Sequence, residues 1–313
     1  MINSKISISI PTYNRPIILA ENLSIMLPDI VRYSIPIFIS DDSTDLETCK
    51  LIDSLKLQYE HIYYVKNEPS LGHDKNILNA LQFPTTEYVW LLGDSVIVRE
   101  NAMADIIDII ESDYDFIFVN AYVDSSPPTS VLKDISFFVK YTWYLSLTGA
   151  TIYNSRVIKK FFSEHELKFY KNFQQVAVML SYLNVRVNAY WVGEKIITIN
   201  ASKKSYWTSN VIEVLVADWC NLIKSFPSIF DTDILVAEVV RSHDENIDLF
   251  GCANMLRYRS TGGIKLCSVL KNMDAIRMAT KRSILYFTFF ALIPRPIVLC
   301  LRSVVKFGRT FSK

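Results

Sequence analysis

Over its first 120 residues the chain alternates short apolar runs with helical stretches, and this alternation limits its possible folds more than any other feature. Extended runs at 5–10 (KISISI), 35–40 (IPIFIS), 61–67 (HIYYVKN), 87–93 (EYVWLLG) and 114–123 (YDFIFVNAYV) are separated by helical patterns at 17–30, 46–56, 75–82 and 101–112. Ser43 or Thr44 can cap the second helix. Short apolar strands interleaved with helices specify an α/β fold, a mostly parallel sheet sandwiched by helices. In an open sheet of this kind the ligand sits in the crevice outside the carboxyl ends of the strands. The polar residues collect there: Thr12 to Arg15, Asp41 to Asp45, and Gly93 to Ser95.

One of these residues raises a physical question. In YVWLLGDSVIV (88–98) the carboxylate of Asp94 is carried to the tip of a strand that reads as buried. An ionised carboxylate is costly to bury unless it is paired or binds a cation. Taken singly, the other clusters have plainer readings. PTYNR (11–15) suits a turn, and DDSTD (41–45) suits a helix cap.

After SSPPTS (125–130), read as a surface loop, the pattern loosens. YLSLTGATIYN (144–154) reads as a strand pair or a bend around Gly149, 155–162 and 172–184 as helices, 187–199 as one strand, and 207–224 and 231–247 as helices. The expected organisation is a core at 1–200, in two halves that meet at about 122 and 123. A helical region follows at 201–270, and a basic extension at 271–313.

Five stretches in order, ISISIPTYNR, IFISDDSTD, NEPSLGHDKNILNAL, YVWLLGDS and LSLTGATIYN, make the chain similar to family 2 of the GT-A glycosyltransferases. Within that family it resembles bacterial enzymes that build O-antigens and capsules. The resemblance covers about residues 5–200. It implies transfer of a sugar from a nucleotide sugar to an acceptor hydroxyl with inversion. It also implies that Pro11, Thr12 and Tyr13 border the base with Arg15 beside them, and that Asp41 or Asp42 accepts hydrogen bonds from base or ribose. Lys75 would meet phosphate and Asn76 would position its helix or the donor. Asp94, with Ser95 beside it, falls on the family's Asp-x-Asp motif, which places Mg²⁺ or Mn²⁺ on the leaving diphosphate.

The chain departs from this pattern twice. Relatives commonly carry two or three carboxylates where this chain has Gly93-Asp94-Ser95-Val96. At the position of the usual catalytic acid it has Gln174 and Gln175, which cannot accept a proton in that role. His165 and Glu166 are the nearest titratable substitutes, together with Glu164. A weak or inactive binding or scaffold subunit of a glycan-assembly complex is therefore the alternative to an active enzyme.

The carboxyl-terminal stretch carries a different message. Residues 271–313 hold nine Lys/Arg and one acid, whereas the rest of the chain holds 24 basic and 31 acidic side chains. The apolar run at 284–293 is too short to span a bilayer and is broken by Pro294 and Pro296. Two short helices lying in the cytoplasmic face of the inner membrane are expected, as a monotopic anchor that brings the enzyme to a lipid-linked saccharide. An oligomer interface is the plainer reading. Nucleic acid is not an expected partner, and oligomeric state is left open. Five widely spaced cysteines without a Cys-x-x-Cys pair suggest neither a zinc site nor a disulfide frame, and so a reducing compartment. The amino terminus has no pattern of a secretory signal.

Overall fold

The computed structural model describes residues 5–121, 127–164, 170–183, 187–200, 202, 206–226 and 228–299. The chain divides into two compact units, Met1–Phe137 with Tyr144–Lys203, and Phe138–Trp143 with Lys204–Lys313.

The first unit is built from β1 (Ile6–Thr12), α1 (Pro16–Arg32), β2 (Ile37–Asp41), α2 (Glu47–Lys56), β3 (Ile62–Lys66), α3 (His73–Gln82) and β4 (Tyr88–Leu91). It continues with β5 (Val96–Val98), α4 (Ala102–Ile110), β6 (Phe116–Asn120), β7 (Ser130–Leu132) and α5 (Ser136–Tyr141), which runs across the boundary. β8 (Thr151–Asn154), α6 (Ser155–Glu164), α7 (Gln174–Leu183), β9 (Ala189–Lys195) and β10 (Ile197–Ile199) complete it. Eight strands form one sheet in the order β3-β2-β1-β4-β8-β6-β9-β7. β3, β2, β1 and β4 run parallel, as do β6 and β9, while β8 is antiparallel to both of its neighbours and β7 is antiparallel to β9.

Both faces of β1 are covered, which explains why its alternating residues are all buried. Ile6, Ile8 and Ile10 pack on one side. On the other, Ser7 Oγ meets Thr86 Oγ1 at 2.6 Å and Ser9 Oγ donates to the Ala80 carbonyl at 2.6 Å. A serine can lie on that face because its hydroxyl finds a partner there.

One strand of this unit departs from the sequence expectation. The strand expected over 187–199 breaks at Ile196. The β6–β9 register shifts between Val119 and Asn120. Beyond the break, β10 turns away to pair antiparallel with β5, Ile199 against Val96. The 144–154 stretch is a 3-10 turn at Tyr144–Ser146 followed by the single strand β8. Gly149 between them has φ +120°, and a Cβ there would lie 3.1 Å from Val96, so glycine is required on both counts.

The second unit is helical. The single helix expected over 207–224 is a 3-10 turn at Tyr206–Ser209, a wider π turn at Glu213–Asp218, and α8 (Trp219–Lys224). α9 (Asp233–Ile247), α10 (Cys252–Thr261), α11 (Leu266–Lys271), α12 (Met273–Ala279) and α13 (Ile284–Leu292) follow, and residues 295–299 are again helical. Thr232 starts α9 by accepting the Leu235 amide at 3.1 Å. α13 buries Phe287, Phe290 and Ala291 and packs against α10 and α11, with Phe250 edge-on to Phe287. Its opposite face leaves Leu285, Phe289 and Leu292 exposed. Arg282 pairs with Asp248, Lys281 with Glu245 and Arg277 with Asp274.

His243 lies in this unit's core, its ring 5.4 Å from that of Trp143 and 6.1 Å from that of Trp219. Burial pulls its pKa down from 6.5 to about 4. It is therefore a neutral core histidine. The unfolded chain binds a proton that the folded one excludes, so stability from this group is full above about pH 6.5. It is lost as the pH falls toward 4, by up to roughly 3 kcal/mol. Thermal melts of the parent and of His243→Phe should therefore diverge between pH 7 and pH 4.5, with the parent losing more. Parallel curves would show that His243 does not titrate on unfolding.

Candidate active site

The order of the parallel strands creates the site. β2 and β3 lie to one side of β1, and the chain then returns to place β4 on the other. The gap between β1 and β4 is a topological switch point, where helices leave on opposite faces and a crevice opens at the strands' carboxyl ends. The register sets Thr12 beside Asp41, and the Leu92 amide donates to the Ser9 carbonyl at 2.9 Å, so Asp94 emerges next to the loop that follows β1.

Asp94 is 7% exposed, and its partner is an arginine. Arg15 Nη1 donates to Oδ1 at 3.2 Å and Thr12 Oγ1 donates to Oδ2 at 3.4 Å. Asn22 of α1 donates to the Asp94 carbonyl at 2.7 Å and accepts from Asn200 at 2.9 Å. Past Asp94 the chain turns tightly, with the Val96 amide on the Gly93 carbonyl at 2.9 Å. Ser95 is fully buried and its hydroxyl has no partner. Val96 enters β5 as a core residue.

Asp42 has a different occupation. Its carboxylate accepts from Leu71 N at 2.6 Å, Gly72 N at 2.9 Å, Ser70 Oγ at 2.7 Å and Asn67 Nδ2 at 3.2 Å. Four bonds fill the acceptor capacity of a carboxylate. Asp42 thus organises the 67–72 loop, and its direct role toward base or ribose is not available while that loop is in place. Asp41 accepts from Ser43 N at 2.9 Å and from Tyr64 OH at 2.8 Å. Burial pushes the Tyr64 hydroxyl well up, and the bond to Asp41 adds to it, so Tyr64 stays a donor.

Asn76 sits beneath this crevice rather than in it. It donates to the Thr12 carbonyl at 3.2 Å and accepts from Ser40 Oγ at 2.6 Å and Asn67 Nδ2 at 3.0 Å. Lys75, next to it on α3, is exposed. Pro11, one residue before the end of β1, is half-buried, and Tyr13 stands 51% exposed at the mouth. Asn14, at φ 51°, ties the first loop to the second, donating its amide to Ser43 Oγ at 2.8 Å and accepting the Thr44 amide at 3.0 Å.

Gln174 and Gln175 begin α7 and are buried. Gln175 Nε2 donates to the Ser146 carbonyl at 2.9 Å, while both amide atoms of Gln174 lack a partner. Glu166 and His165 lie outside the described residues. Asp74, which sequence reasoning did not single out, accepts the Asn172 amide at 2.9 Å and so ties α3 to the turn before α7. Asn22, Tyr64, Asn67 and Asn200 were also missed. Their only sequence signal was position: Asn67 and Asn200 directly follow β3 and β10, whereas Tyr64 lies inside β3 and Asn22 inside α1.

These residues do not fit a resident divalent cation. Mg²⁺ and Mn²⁺ want several oxygen ligands. The site offers one carboxylate, already engaged by Arg15 and Thr12, one serine hydroxyl, and a valine. Among the described residues no group of three acids, histidines or cysteines stands close enough to hold a metal ion. The metal role expected of Asp94 thus lacks the ligands that would complete it. The positive charge in contact with that carboxylate is the guanidinium.

Comparison with known proteins agrees with this architecture. The structure is similar to Staphylococcus aureus TarS residues 1–349, at 13% identity over 97% of this chain and 92% of that one, with a TM-score of 0.57. TarS in complex with UDP-GlcNAc gives a TM-score of 0.61 at the same identity and coverage. The mannosyltransferase PcManGT from Pyrobaculum calidifontis, in complex with GDP-Man and Mn²⁺, gives 0.55 at 13% identity, over 96% of this chain and 86% of that one. Among curated proteins, none matches the sequence. The sequence profile described as "Glycosyl transferase family 2" matches residues 7–172, more than half of the chain. With its GT-A-like sheet and its crevice at the β1/β4 switch point, the chain belongs to glycosyl transferase family 2.

Proposed function

We propose that this glycosyltransferase moves a sugar from a nucleotide sugar to a hydroxyl of a lipid-linked saccharide, with inversion, in the building of a cell-surface polysaccharide such as an O-antigen or capsule. The observation that carries this reading is the Thr12–Arg15–Asp94 constellation at the switch point, beside the exposed Tyr13. The nucleotide complexes of TarS and PcManGT support a nucleoside diphosphate as the leaving group. In a single displacement the acceptor oxygen bonds to the anomeric carbon as the bond to the diphosphate breaks on the opposite face. The acceptor proton passes to a base, and the electron pair leaves with the diphosphate. Glu166, ionised at neutral pH, and His165 are the proposed bases, since Gln174 and Gln175 cannot serve.

The acceptor's lipid anchor is met by the second unit. Leu285, Phe289 and Leu292 are 78%, 61% and 61% exposed at helical spacing on α13, and Ile297 and Leu299 continue the apolar surface at 51% and 54%. The sequence beyond them, 301–313, carries four basic residues and no acid. An apolar face continuing into a basic segment suits a bilayer with anionic head groups at the cytoplasmic side. No helix among the described residues is long and apolar enough to cross a membrane. Arg277, Lys281 and Arg282, which precede α13, pair with acids, so the apolar face contributes the attraction that salt does not screen.

The first test is a panel of nucleotide sugars. The correct donor at 100 times its Kd should stabilise the chain by about 2.7 kcal/mol, read as a rise in Tm. Turnover should then appear with a saccharide acceptor, and Asp94→Ala should lower it by roughly a hundredfold or more. Binding without transfer to any acceptor would favour a scaffold subunit. A second test addresses the membrane. The double variant Phe289→Asp, Leu292→Asp should float less with vesicles containing anionic lipid than the parent, and the parent should be only partly released by about 1 M salt. Equal flotation of both proteins would remove α13 from the membrane face.

A further inference from the structure

The buried carboxylate of this site is paired with a side-chain cation, and that pairing has a consequence for the donor. A diphosphate leaving group must meet positive charge, because charge grows on it as the sugar departs. Only one carboxylate, Asp94, stands at the motif position, and two of its acceptor sites are taken by Arg15 and Thr12. The two positions that follow it offer one buried hydroxyl and one apolar side chain, Ser95 and Val96. A divalent ion seated on Asp94 Oδ1 would have to displace the guanidinium or stand against it, charge to like charge.

Arg15 is well placed to do the work itself. A guanidinium has five N–H donors in a planar fork, which matches the oxygens of a phosphate. Among the described residues only Nη1 of Arg15 is engaged by a side chain, and the arginine side chain is 32% exposed. The remaining donors are available to a ligand in the crevice. Its backbone is fixed on both sides. Asn14 before it is locked by bonds to Ser43 and Thr44, and Pro16 after it begins α1, whose Leu19 amide bonds the Arg15 carbonyl at 3.0 Å. Asp94, held in turn by Asn22 through its carbonyl, aims one edge of the fork and leaves the others open.

We infer that Arg15 is the cation of the donor site. Oriented by Asp94, its guanidinium receives the diphosphate, and a nucleoside diphosphate binds without a divalent metal. This inference rests on the nucleotide-sugar reading above and assigns its electrostatics to this chain's own side chains. Asp94 acts here as a positioning residue for Arg15.

Calorimetric titration of the full chain separates the terms. UDP, GDP and dTDP, with their nucleosides, are titrated in EDTA and again with Mg²⁺ or Mn²⁺. The diphosphate that binds should keep its Kd within about threefold between the two conditions. Arg15→Gln should weaken that diphosphate by about tenfold or more, the scale of a lost charged hydrogen bond, while changing the nucleoside by less than about threefold. Arg15→Lys should recover part of the loss, because it restores charge without the fork. Asp94→Asn should fall between the parent and Arg15→Gln. Unliganded melts of the variants guard against a folding effect, and Arg15→Lys keeps the pair with Asp94 if the glutamine variant unfolds. Diphosphate binding that demands metal, or that ignores Arg15→Gln, overturns the inference and leaves the nucleotide-sugar reading standing. Failure of every nucleoside diphosphate to bind under either condition overturns both.

Discussion

A carboxylate that is 7% exposed needs partners that repay its lost hydration, and in this protein the strand-end architecture depends on how that is done for Asp94. The answer lies in the loop after β1. Thr12 and Arg15 reach Asp94 from a segment whose direction is set by Asn14 in the left-handed region and by Pro16 at the first helical position. The same aspartate's carbonyl holds Asn22 on α1. One residue thus fastens the end of β4 to the loop and helix that follow β1. The switch point is consequently a polar knot and not merely a gap between strands. Removing the guanidinium would leave an unpaired charge, a change worth about 3–5 kcal/mol when fully buried and less here, where water reaches the arginine.

A second knot lies across β1 and β2. Ser40, Asn67, Asn76 and Asn79 bond one another, and Asn76 reaches the Thr12 carbonyl. Asn67 and Asn76 both donate and accept, and Asn79 donates to Ser40 and Asn67, so the buried amides are held by one another. A network of this sort fixes loop geometry more sharply than apolar packing would, because each missing bond leaves a costly orphan.

The fold was legible because it rests on periodicity. Strands β1 to β4 and helices α1 to α4 follow from apolar runs and helical spacing that local sequence states directly. The misreadings share a cause. β10 leaves the main sheet only because β5 is there to pair with it, and β5 hides in an apolar run that local sequence cannot divide. The π turn at Glu213–Asp218 has the composition of an ordinary helix. In the site, Asp94, Asp41 and Asp42 could be named from their places at strand ends, but their partners could not. Arg15 and Asp94 are 79 residues apart, and Asp42 and Gly72 are 30 apart, separations that only the sheet order brings together. Gln174 and Gln175 show the limit from the other side: the helix they begin was legible, yet local sequence did not tell that both would be buried there.

Saturated carboxylates alter how a donor site of this kind must recognise its ligand. Asp42 spends all four acceptor sites on the 67–72 loop, and Asp41 is tied once on each oxygen, to Ser43 and to Tyr64. Their effect is preorganisation. The loops are ordered before a ligand arrives, and the entropy of ordering them does not subtract from binding. The groups left with unused capacity are the outward edges of the arrangement: the exposed ring of Tyr13, free to cover an aromatic base, and the open donors of Arg15. Specificity then comes from a rigid frame that positions a few unsaturated groups. The charge that answers a diphosphate is built into the chain on the one side chain that also pairs with Asp94, so the stability of the switch point and its affinity for anions are two effects of the same ion pair.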